Sequence, residues 1–440
     1  MKKVNRVSLL LILILVGSCG KDDPKPPLNK SVEADLLRLD LEYMGTTYTT
    51  TISGTTVSLS NLLPSEAQEV IIKSIELSSR AISDKKAGDK LQLGQNPLSI
   101  QITAEDGTTE KNYSLNLETA APVTALKPFG VNLAGAEFGS PNFPGTYDTD
   151  YIYPNTEELD YYKSKGLNLI RMPFSWERIQ PILNGNLDEV ELNRIKDFLQ
   201  AARNRNMAVV LDLHNYGRYY LNGKEEIIGS PNLSIIHIKD LWTKLSFELK
   251  DNSEIWGYGI MNEPHDMLAA ASWFDIAQEI INGIRTSDAR TRIIVGGDSW
   301  SSAEFWPLFS DNLRNLSDPS NNLTFEAHVY FDNDSSGRYD QNYDDEGAYP
   351  DKGIDRVTPF LDWLETNELN GFVGEYGVPG NDARWLTMLD NLLLHLETKG
   401  INGAYWAGGP WWGDYILSIE PNNGADKAQM EIVQKYLEVN

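Results

Sequence analysis

The sequence predicts an α/β protein: a (β/α)8 barrel over residues 125–440, preceded by a small all-β sandwich over residues 31–120. The barrel is predicted by the region after Lys127, where strand-like apolar segments alternate with amphipathic helical segments. Eight such strand segments can be counted, which is the number that closes a barrel of this type. The sandwich is predicted by short Thr-, Ser- and Val-rich segments that nearly alternate and lack a helical period.

Residues 1–18 have the pattern of a secretory signal peptide. Their apolar run, residues 7–16, is shorter than the roughly 20 residues that a membrane-spanning helix needs. Small residues then lead to Cys19 as in a bacterial lipobox, so we expect Cys19 to be lipidated; the alternative is an ordinary signal with a chance cysteine. Proline-rich residues 19–30 would form a stiff tether. Residues 20–23 resemble the tag of surface lipoproteins in some Gram-negative bacteria, which predicts an exported protein, lipid-anchored to the outer membrane at the cell surface.

The expected sandwich contains several short strands at close spacing, which is typical of antiparallel sheets. Their ranges are 37–43, 47–52, 56–59, 70–77, 98–102 and 113–117. Residues 102–113 resemble the final hairpin of bacterial immunoglobulin-like domains, which often precede catalytic domains on cell-surface proteins. Because this region holds no candidate catalytic set, we expect a spacer, with carbohydrate binding as the alternative.

Residues 121–124 form the expected linker to the barrel. The expected barrel strands are 130–133, 167–174, 208–214, 257–262, 292–296, 323–330, 371–376 and 403–407. Helical periodicity predicts helices between them, among them 157–165, 189–204, 235–249, 273–287 and 385–399. In such a barrel the active site lies where the carboxyl ends of the strands meet their loops.

Chemically capable residues fall at these strand ends. Glu263 follows an apolar, strand-like run, and Glu375 ends another strand more than a hundred positions later, between glycines. The other residues at strand ends are Arg171, His214, Asn262, His328, Tyr330 and Trp406. A single glutamate at a strand end is more often a solvated loop residue, but the set predicts one shared site.

On these residues, the region from Lys127 to the last residue resembles glycoside hydrolase family 5. The similar segments, which look like the endo-β-1,4-glucanase branch of bacterial and fungal cellulases, are 130–139, 212–216, 259–266 and 325–330. The resemblance implies that Glu263 is the acid/base and Glu375 the nucleophile of a retaining glycosidase. It also implies substrate-binding roles, with no substitution in the family's pattern, for Arg171, His214, Asn262, His328, Tyr330 and Trp406.

The chemistry of a retaining glycosidase explains why two carboxyl groups are needed. One attacks the anomeric carbon, and the other, about 5–5.5 Å away, protonates the leaving oxygen and later activates water. The two must therefore titrate differently. We expect Arg171 and the Tyr330 hydroxyl to keep Glu375 ionised, and less polar surroundings to keep Glu263 protonated.

The remaining residues have expected roles and alternatives. Asn262 is expected to hydrogen-bond the sugar 2-hydroxyl, and Trp406 to form the floor of the subsite for the cleaved sugar. Arg171 could instead be a structural ion-pair partner. His214 and His328 could be core histidines whose hydrogen bonds are satisfied within the fold.

Further aromatic residues are candidates for the cleft. His265, Trp300 and Trp306 are uncertain, since a loop tryptophan packs as often as it stacks on a ligand. Trp411 and Trp412 follow strand eight and are better placed to line the cleft.

Composition limits the partners. The formal net charge of −25 would repel nucleic acid and anionic membrane surfaces, so we expect no nucleic-acid partner and membrane contact only through Cys19. With a single cysteine, no intrachain disulfide is possible. The mechanism needs no cofactor, and none is expected. No metal is expected either, because the acidic segment 332–351 lacks regular calcium-ligand spacing and is expected to be a solvated loop. His237 and His395 fall inside expected helices and are not expected to be functional.

The functional hypothesis is a secreted, lipid-anchored, retaining glycoside hydrolase that cleaves internal β-1,4 linkages of β-glucan or cellulose. A β-mannanase or xyloglucanase on the same barrel is the alternative within enzymes. A catalytically inactive glycan-binding protein of the cell surface is the alternative outside them.

Overall fold

The structure is a computed structural model that describes residues 30–64, 67–94, 98–119, 126–421 and 424–437. The expected signal peptide, Cys19, all but the last residue of the tether, and the linker 121–124 lie outside the described residues. Within the described part of the chain, no helix combines the length and apolar character needed to cross a membrane.

The first unit along the chain is an eight-stranded sheet. Its strands are β1 Leu36–Tyr43, β2 Thr46–Ser53, β3 Thr56–Leu59, β4 Glu69–Leu77, β5 Ile82–Ser83, β6 Lys90–Gln92, β7 Ser99–Thr103 and β8 Glu110–Asn116. They lie in the order β5-β7-β8-β3-β2-β1-β4-β6. Strand β2 pairs with β1 through its first half and with β3 through its second half, and apolar side chains from both halves meet in one core. The region is all-β, as predicted, and its assignment as an immunoglobulin-like domain stays a prediction.

Alternation in the sequence sets which face of each strand is buried. In β7, Ile100 and Ile102 are buried, while the residues between and beside them lie on the opposite face. One pairing differs from the expected antiparallel arrangement, because β3 and β8 run parallel. Alternation specifies a buried face, but it does not specify which strand lies alongside.

The second unit is a closed barrel, which confirms the predicted (β/α)8 architecture. Its strands, with an inserted hairpin β12–β13, are β9 Phe129–Leu133, β10 Leu169–Phe174, β11 Ala208–Leu213, β12 Arg218–Leu221, β13 Lys224–Ile227, β14 Ile255–Gly259, β15 Ile293–Gly296, β16 Leu323–Val329, β17 Gly371–Tyr376 and β18 Asn402–Gly408. The barrel order is β10-β11-β14-β15-β16-β17-β18-β9, and every neighbouring pair is parallel.

Helices follow the barrel strands. They are α1 Thr156–Ser164, α2 Trp176–Ile179, α3 Glu189–Asn204, α4 Ile235–Leu249, α5 Trp273–Ile284, α6 Trp306–Phe309, a 3-10 helix Asp311–Asn315, α7 Lys352–Asn367, α8 Ala383–Lys399 and α9 Ala428–Gln434. Local signals set their ends. Asp188 caps the start of α3 by accepting hydrogen bonds from the backbone N–H groups of Val190 and Glu191, and α8 ends at Gly400, whose φ of 68° favours glycine.

The interior of the barrel is apolar at one level and polar at the next. Leu169 and Val210 belong to an apolar cluster to which β15, β17 and β18 also contribute. Side chains two positions apart point to the same face of a strand. Arg171 therefore lies above Leu169 inside the barrel, and Asp212 above Val210. A polar layer thus rests on an apolar floor at the carboxyl ends of the strands.

The first sheet contacts the barrel through α3. Arg203 donates a hydrogen bond from Nη1 to the Tyr48 hydroxyl at 3.0 Å and pairs through Nη2 with Glu254 at 2.8 Å. Both charged side chains are almost fully buried. This contact lies on the helical layer around the barrel, away from the polar layer inside it.

Candidate active site

Arg171 lies at the centre of the polar layer, with its side chain fully buried. Its Nη2 donates to Asn262 Oδ1 at 2.7 Å, and its Nη1 donates to Glu375 Oε1 at 3.1 Å and to Asn132 Oδ1 at 2.8 Å. The planar guanidinium thereby fixes the position of one candidate catalytic carboxylate and the orientation of the neighbouring amide.

The same guanidinium contacts two further carboxylates. Asp212 lies 3.1 Å from Nη1, and Glu326 lies 2.8 Å from Nε. Burial alone would lower the pKa of Arg171, but the negative charges of Asp212, Glu326 and Glu375 outweigh burial and raise it. This buried cation therefore contacts three buried carboxylates at once.

His214 links this layer to the aromatic wall. Its Nδ1 contacts Asp212 Oδ2 at 2.6 Å, and its Nε2 contacts Asn262 Nδ2 at 3.2 Å and the Tyr216 hydroxyl at 3.0 Å. Burial acts to lower the pKa of His214, but the charge of Asp212 and the hydrogen bond to it raise the pKa. The imidazole also stacks on Trp406, with ring centroids 5.4 Å apart and planes 12° apart.

Glu375 is held by two donors. The Tyr330 hydroxyl donates to Oε2 at 2.7 Å, and Arg171 donates to Oε1. Both donors were expected from the sequence, and a carboxylate with donors on both oxygens keeps a fixed orientation.

Glu263 differs from its expected setting. The sequence predicted less polar surroundings for this carboxylate, but its Oε1 faces His328 Nδ1 at 2.7 Å. Its side chain is 16% exposed, against 5% for Glu375. The backbone at Glu263 has a φ of 42°, in the left-handed region that few non-glycine residues adopt. The sharp turn after β14 thus aims this carboxylate toward the open end of the barrel.

His328 lies between the two glutamates. Its Nδ1 is also 3.5 Å from Glu375 Oε2, and its Nε2 contacts Glu326 Oε1 at 3.2 Å. Burial acts to lower the pKa of His328, but the charge of Glu375 and hydrogen bonds to Glu263 and Glu326 raise it from 6.5 to about 10. The ring is therefore a cation at neutral pH, and it shares its positive charge between both glutamates.

The carboxylates of Glu263 and Glu375 are close together. One oxygen of each and a nitrogen of His328 all lie within 4.8 Å of one another. Such a group has the ligand atoms for a divalent cation. However, a protonated imidazole has no lone pair to offer, and Arg171 already compensates the charge of Glu375, so acid–base chemistry fits the residues better than metal binding.

Gly374 makes room for this cluster. A Cβ at this position would lie 1.8 Å from Glu326 Oε1. The glycine that precedes Glu375 therefore allows Glu326 to reach both Arg171 and His328.

A cleft of about 920 Å³ opens beside Glu263. Its walls include His265 and Trp300, whose rings stack with centroids 4.2 Å apart and planes 11° apart. Trp306, in contrast, is fully buried and packs against Phe360 and Trp363, so it is a core residue.

A second aromatic group surrounds Trp406. Trp412 meets Trp406 edge to face at 5.8 Å and stacks on Tyr415 at 4.5 Å, and Phe138 packs against Trp412. Trp411 is 38% exposed beside them. Glu263 lies in the wall of the cleft, whereas Trp406 belongs to this aromatic group and does not line the cleft.

Comparison with known proteins identifies the family of this site. Residues 131–411 match the family model described as cellulase (glycosyl hydrolase family 5). The chain belongs to glycosyl hydrolase family 5. It is therefore a cellulase-type glycoside hydrolase, and its barrel is that of a family 5 enzyme.

Relatives and solved structures agree with this assignment. The chain is 36% identical over 314 residues to endo-β-1,4-glucanase B of Aspergillus niger, which covers 70% of this chain and 90% of the relative. It is 40% identical to an endoglucanase of Pseudomonas stutzeri solved in complex with cellobiose, with a TM-score of 0.67 over 71% of this chain and 93% of that one. An endo-β-1,4-glucanase of Xanthomonas axonopodis pv. citri is 34% identical, with a TM-score of 0.66 over 71% of this chain and 98% of that one.

All eight site residues expected from the sequence of this family 5 enzyme meet at one end of the barrel. Sequence reasoning gave no role to Asn132, Asp212, Tyr216 or Glu326, which hold the expected residues in place. A signal was present, because Asp212 and Glu326 each lie two positions before an expected site histidine. On a strand this spacing puts both side chains on one face.

Two helical histidines lie apart from the family 5 site, as expected. His237 is in the first turn of α4, where its Nδ1 accepts from the Ser234 backbone N–H, and His395 lies in α8.

The acidic segment 332–351 is only partly the solvated loop that its sequence predicts. Asp332 and Glu346 are buried, so the expectation of a solvated loop is wrong for them. Their carboxylates accept hydrogen bonds from backbone N–H groups of the same segment. Lys352 Nζ donates to the carbonyls of Asp332 and Glu346 at 3.3 and 3.0 Å. The ammonium therefore occupies oxygens that a calcium ion would need.

Replacing Gly374 with alanine should disturb the cluster, because the added methyl group overlaps Glu326. We expect Gly374→Ala to destabilise the fold by roughly 1–3 kcal/mol and to reduce hydrolysis more than tenfold. Thermal unfolding and initial rates measure the two effects. Shortening the neighbour in Gly374→Ala/Glu326→Asp should recover part of the lost stability, and no recovery would argue against the overlap as the cause.

The raised pKa of His328 predicts a dependence of stability on pH. Between about pH 6.5 and 10 the folded state binds more protons than the unfolded state, so stability present below pH 6.5 is lost as pH rises through 10. Unfolding temperatures measured across this range should fall less steeply in His328→Gln than in the wild type. His395→Gln, which removes a histidine whose pKa is lowered, should keep the wild-type slope. Equal slopes in all three proteins would contradict the prediction.

Proposed function

We propose that this family 5 enzyme is a retaining endo-β-1,4-glucanase in which Glu375 is the nucleophile and Glu263 the acid/base. The observation that carries the proposal is the approach of their carboxylate oxygens to within 4.8 Å. That distance suits the about 5–5.5 Å between carboxyl groups of retaining enzymes and is short of the about 6.5–9.5 Å that an inverting enzyme needs for its water.

In the first step, Glu375 attacks the anomeric carbon while Glu263 donates its proton to the glycosidic oxygen, and the bond between that carbon and that oxygen breaks. A glucosyl ester of Glu375 forms, and the leaving chain departs with the proton. In the second step, Glu263 takes a proton from water, the water oxygen attacks the same carbon, and the ester breaks. Two inversions at one carbon retain the β-configuration.

The surrounding residues support this division of roles. Arg171 and Tyr330 donate to Glu375, which orients the nucleophile. His328 contacts Glu263 at 2.7 Å, which orients the acid/base carboxylate.

Substrate contacts follow from the same geometry. One N–H of Asn262 Nδ2 faces His214, and its second N–H is directed to the sugar 2-hydroxyl. Trp406, held by stacking on His214, offers its face to the sugar whose bond is cleaved. A β-1,4-glucan is favoured as the substrate because the relatives that this chain matches over most of their length are named endo-β-1,4-glucanases.

The two glutamates can be told apart by the leaving group of the substrate. Glu375→Gln should lose at least about 10³-fold in kcat on β-glucan and on 2,4-dinitrophenyl β-cellobioside, because both need the nucleophile. Glu263→Gln should lose similar activity on β-glucan, but on the aryl cellobioside it should retain a rapid burst of about one equivalent of dinitrophenol, which departs without protonation, before slow turnover limited by hydrolysis of the ester. Glu248→Gln, an exposed carboxylate on α4, is the matched control. Near-normal hydrolysis of β-glucan by either active-site variant would overturn the assignment.

Substrate and stereochemistry need separate measurements. Reducing-end release should be strong on carboxymethyl-cellulose and mixed-linkage β-glucan, weak on xyloglucan, mannan and xylan, and absent with Glu375→Gln. Proton NMR of early products should show the β-anomer first. Release from mannan or xyloglucan alone would show that this polysaccharide, and not β-1,4-glucan, is the substrate. Binding without release from any of the five polysaccharides would indicate a glycan-binding protein.

Export and lipid anchoring at Cys19 complete the proposal, and the signal-like residues before this cysteine support them. In a Gram-negative host fed labelled palmitate, the wild type should be labelled and partition with the outer membrane. Cys19→Ser should be unlabelled, while Ser18→Ala, a neighbouring small-residue change, should keep the label. Labelling of Cys19→Ser would contradict the anchor.

A further inference from the structure

Three exposed apolar side chains form one wall of the cleft beside Glu263. Phe305 is 47% exposed, Leu308 72% and Phe309 48%, and all three line the cleft. They lie on and next to the four-residue helix α6. We call them the α6 platform. Large apolar side chains grouped at the mouth of a cleft are typical of a ligand-binding surface.

The α6 platform is rigidly supported from below. Trp306, within the same helix, is fully buried against Phe360 and Trp363, with ring centroids 4.6 and 5.3 Å away. Anchoring one side of so short a helix in the core leaves the opposite side facing the cleft.

The loop before α6 is attached to the catalytic residues. The His328 backbone N–H donates to the Ser301 carbonyl at 2.7 Å, and the Ala303 N–H donates to the His328 carbonyl at 3.0 Å. The Trp300 N–H donates to the carbonyl of Pro264, which follows Glu263. These backbone hydrogen bonds hold the platform at a fixed distance from the acid/base carboxylate.

Backbone strain marks the same loop. Ser299, Trp300 and Ser301 have φ values of 55°, 58° and 51°, so three consecutive non-glycine residues adopt the left-handed conformation. Each costs free energy that the surrounding contacts must offset. The result is that Trp300 is turned out into the cleft, 47% exposed and stacked on His265.

The position of the cleft identifies which part of a substrate it would hold. Glu263 lines the cleft, whereas Glu375 and Trp406 do not. The acid/base residue gives its proton to the leaving oxygen, so the sugars beyond the cleaved bond lie on its side. The cleft therefore continues the reaction site in the direction of the leaving chain.

We propose that Phe305, Leu308 and Phe309 form a distal subsite for the leaving-group part of a β-glucan chain, beyond Trp300. The proposal rests on the proposed function of the same site. The C–H faces of glucosyl rings pack on apolar side chains. At the ring edges, Arg338 offers N–H donors and the hydroxyl oxygens of Ser335 and Ser336 offer acceptors, and all three residues line the cleft.

The test compares substrates that do and do not reach the platform. Cellohexaose places sugars on the leaving-group side, whereas 2,4-dinitrophenyl β-cellobioside has only an aryl group there. In the full-length Phe305→Ala/Phe309→Ala variant, kcat/KM for cellohexaose should fall about five- to tenfold, because two stacking surfaces are lost. The value for the aryl cellobioside should stay within about twofold, since its leaving group does not reach α6.

Matched variants separate stacking from structural effects. Phe305→Tyr/Phe309→Tyr keeps both rings and should retain cellohexaose hydrolysis. Phe247→Ala removes a comparably exposed phenylalanine, 59% exposed on α4, and should leave both substrates unaffected. Unfolding temperatures and sedimentation should match the wild type in all variants.

Several results would overturn the subsite. One is an unchanged ratio between the two substrates in Phe305→Ala/Phe309→Ala, and another is an equal loss on both. A third is a wild-type dimer that this variant dissociates, which would make the platform a contact between two copies of the chain. If the wild type hydrolysed neither substrate, the proposed function itself would fail, and that outcome is distinct from loss of the subsite alone.

Discussion

The buried guanidinium of Arg171 is the constraint on which the active site depends. It contacts Asp212, Glu326 and Glu375, three carboxylates that would repel one another without it. Breaking a buried ion pair by removing one partner typically costs about 3–5 kcal/mol, because the other charge is left uncompensated. Here the loss would leave three buried carboxylates with only the imidazoles of His214 and His328 to compensate them. Arg171 is thus a structural ion-pair partner that also orients Glu375, and its expected role in substrate binding stays a prediction.

The rest of the barrel is arranged to hold that charge cluster. Apolar side chains fill the interior below it, so the cluster is shielded from water on one side and open to the cleft on the other. Gly374 leaves the space that Glu326 needs. His328 contacts Glu326 in this layer and also contacts Glu263, so its positive charge lies next to the carboxylate of the cluster that faces solvent. The same barrel therefore gives two glutamates different surroundings.

Much of the fold could be predicted because its causes are local. Continuous apolar runs predicted the eight barrel strands, and the expected helices 189–204 and 235–249 match α3 and α4 residue for residue. Errors occurred where long-range pairing decides. The parallel pairing of β3 with β8 leaves no mark in either strand. The segment 332–351 looked solvated because its charges are dense. However, the carboxylates of Asp332 and Glu346 accept hydrogen bonds from its own backbone, and Lys352 donates to the carbonyls of the same two residues.

The sequence by itself determined which residues reach the carboxyl end of the barrel, since period-two alternation and strand-end position are local properties. It therefore placed the eight expected site residues at this end of the barrel, and their catalytic and substrate-binding roles stay predictions. Only the tertiary structure decided which of them touch. It placed His328 against Glu263, joined Asp212 and Glu326 to Arg171, and turned α6 toward the cleft that Glu263 lines. Those contacts join strands and loops far apart in the chain, and distances between such segments are set by barrel closure and packing, which no local pattern encodes.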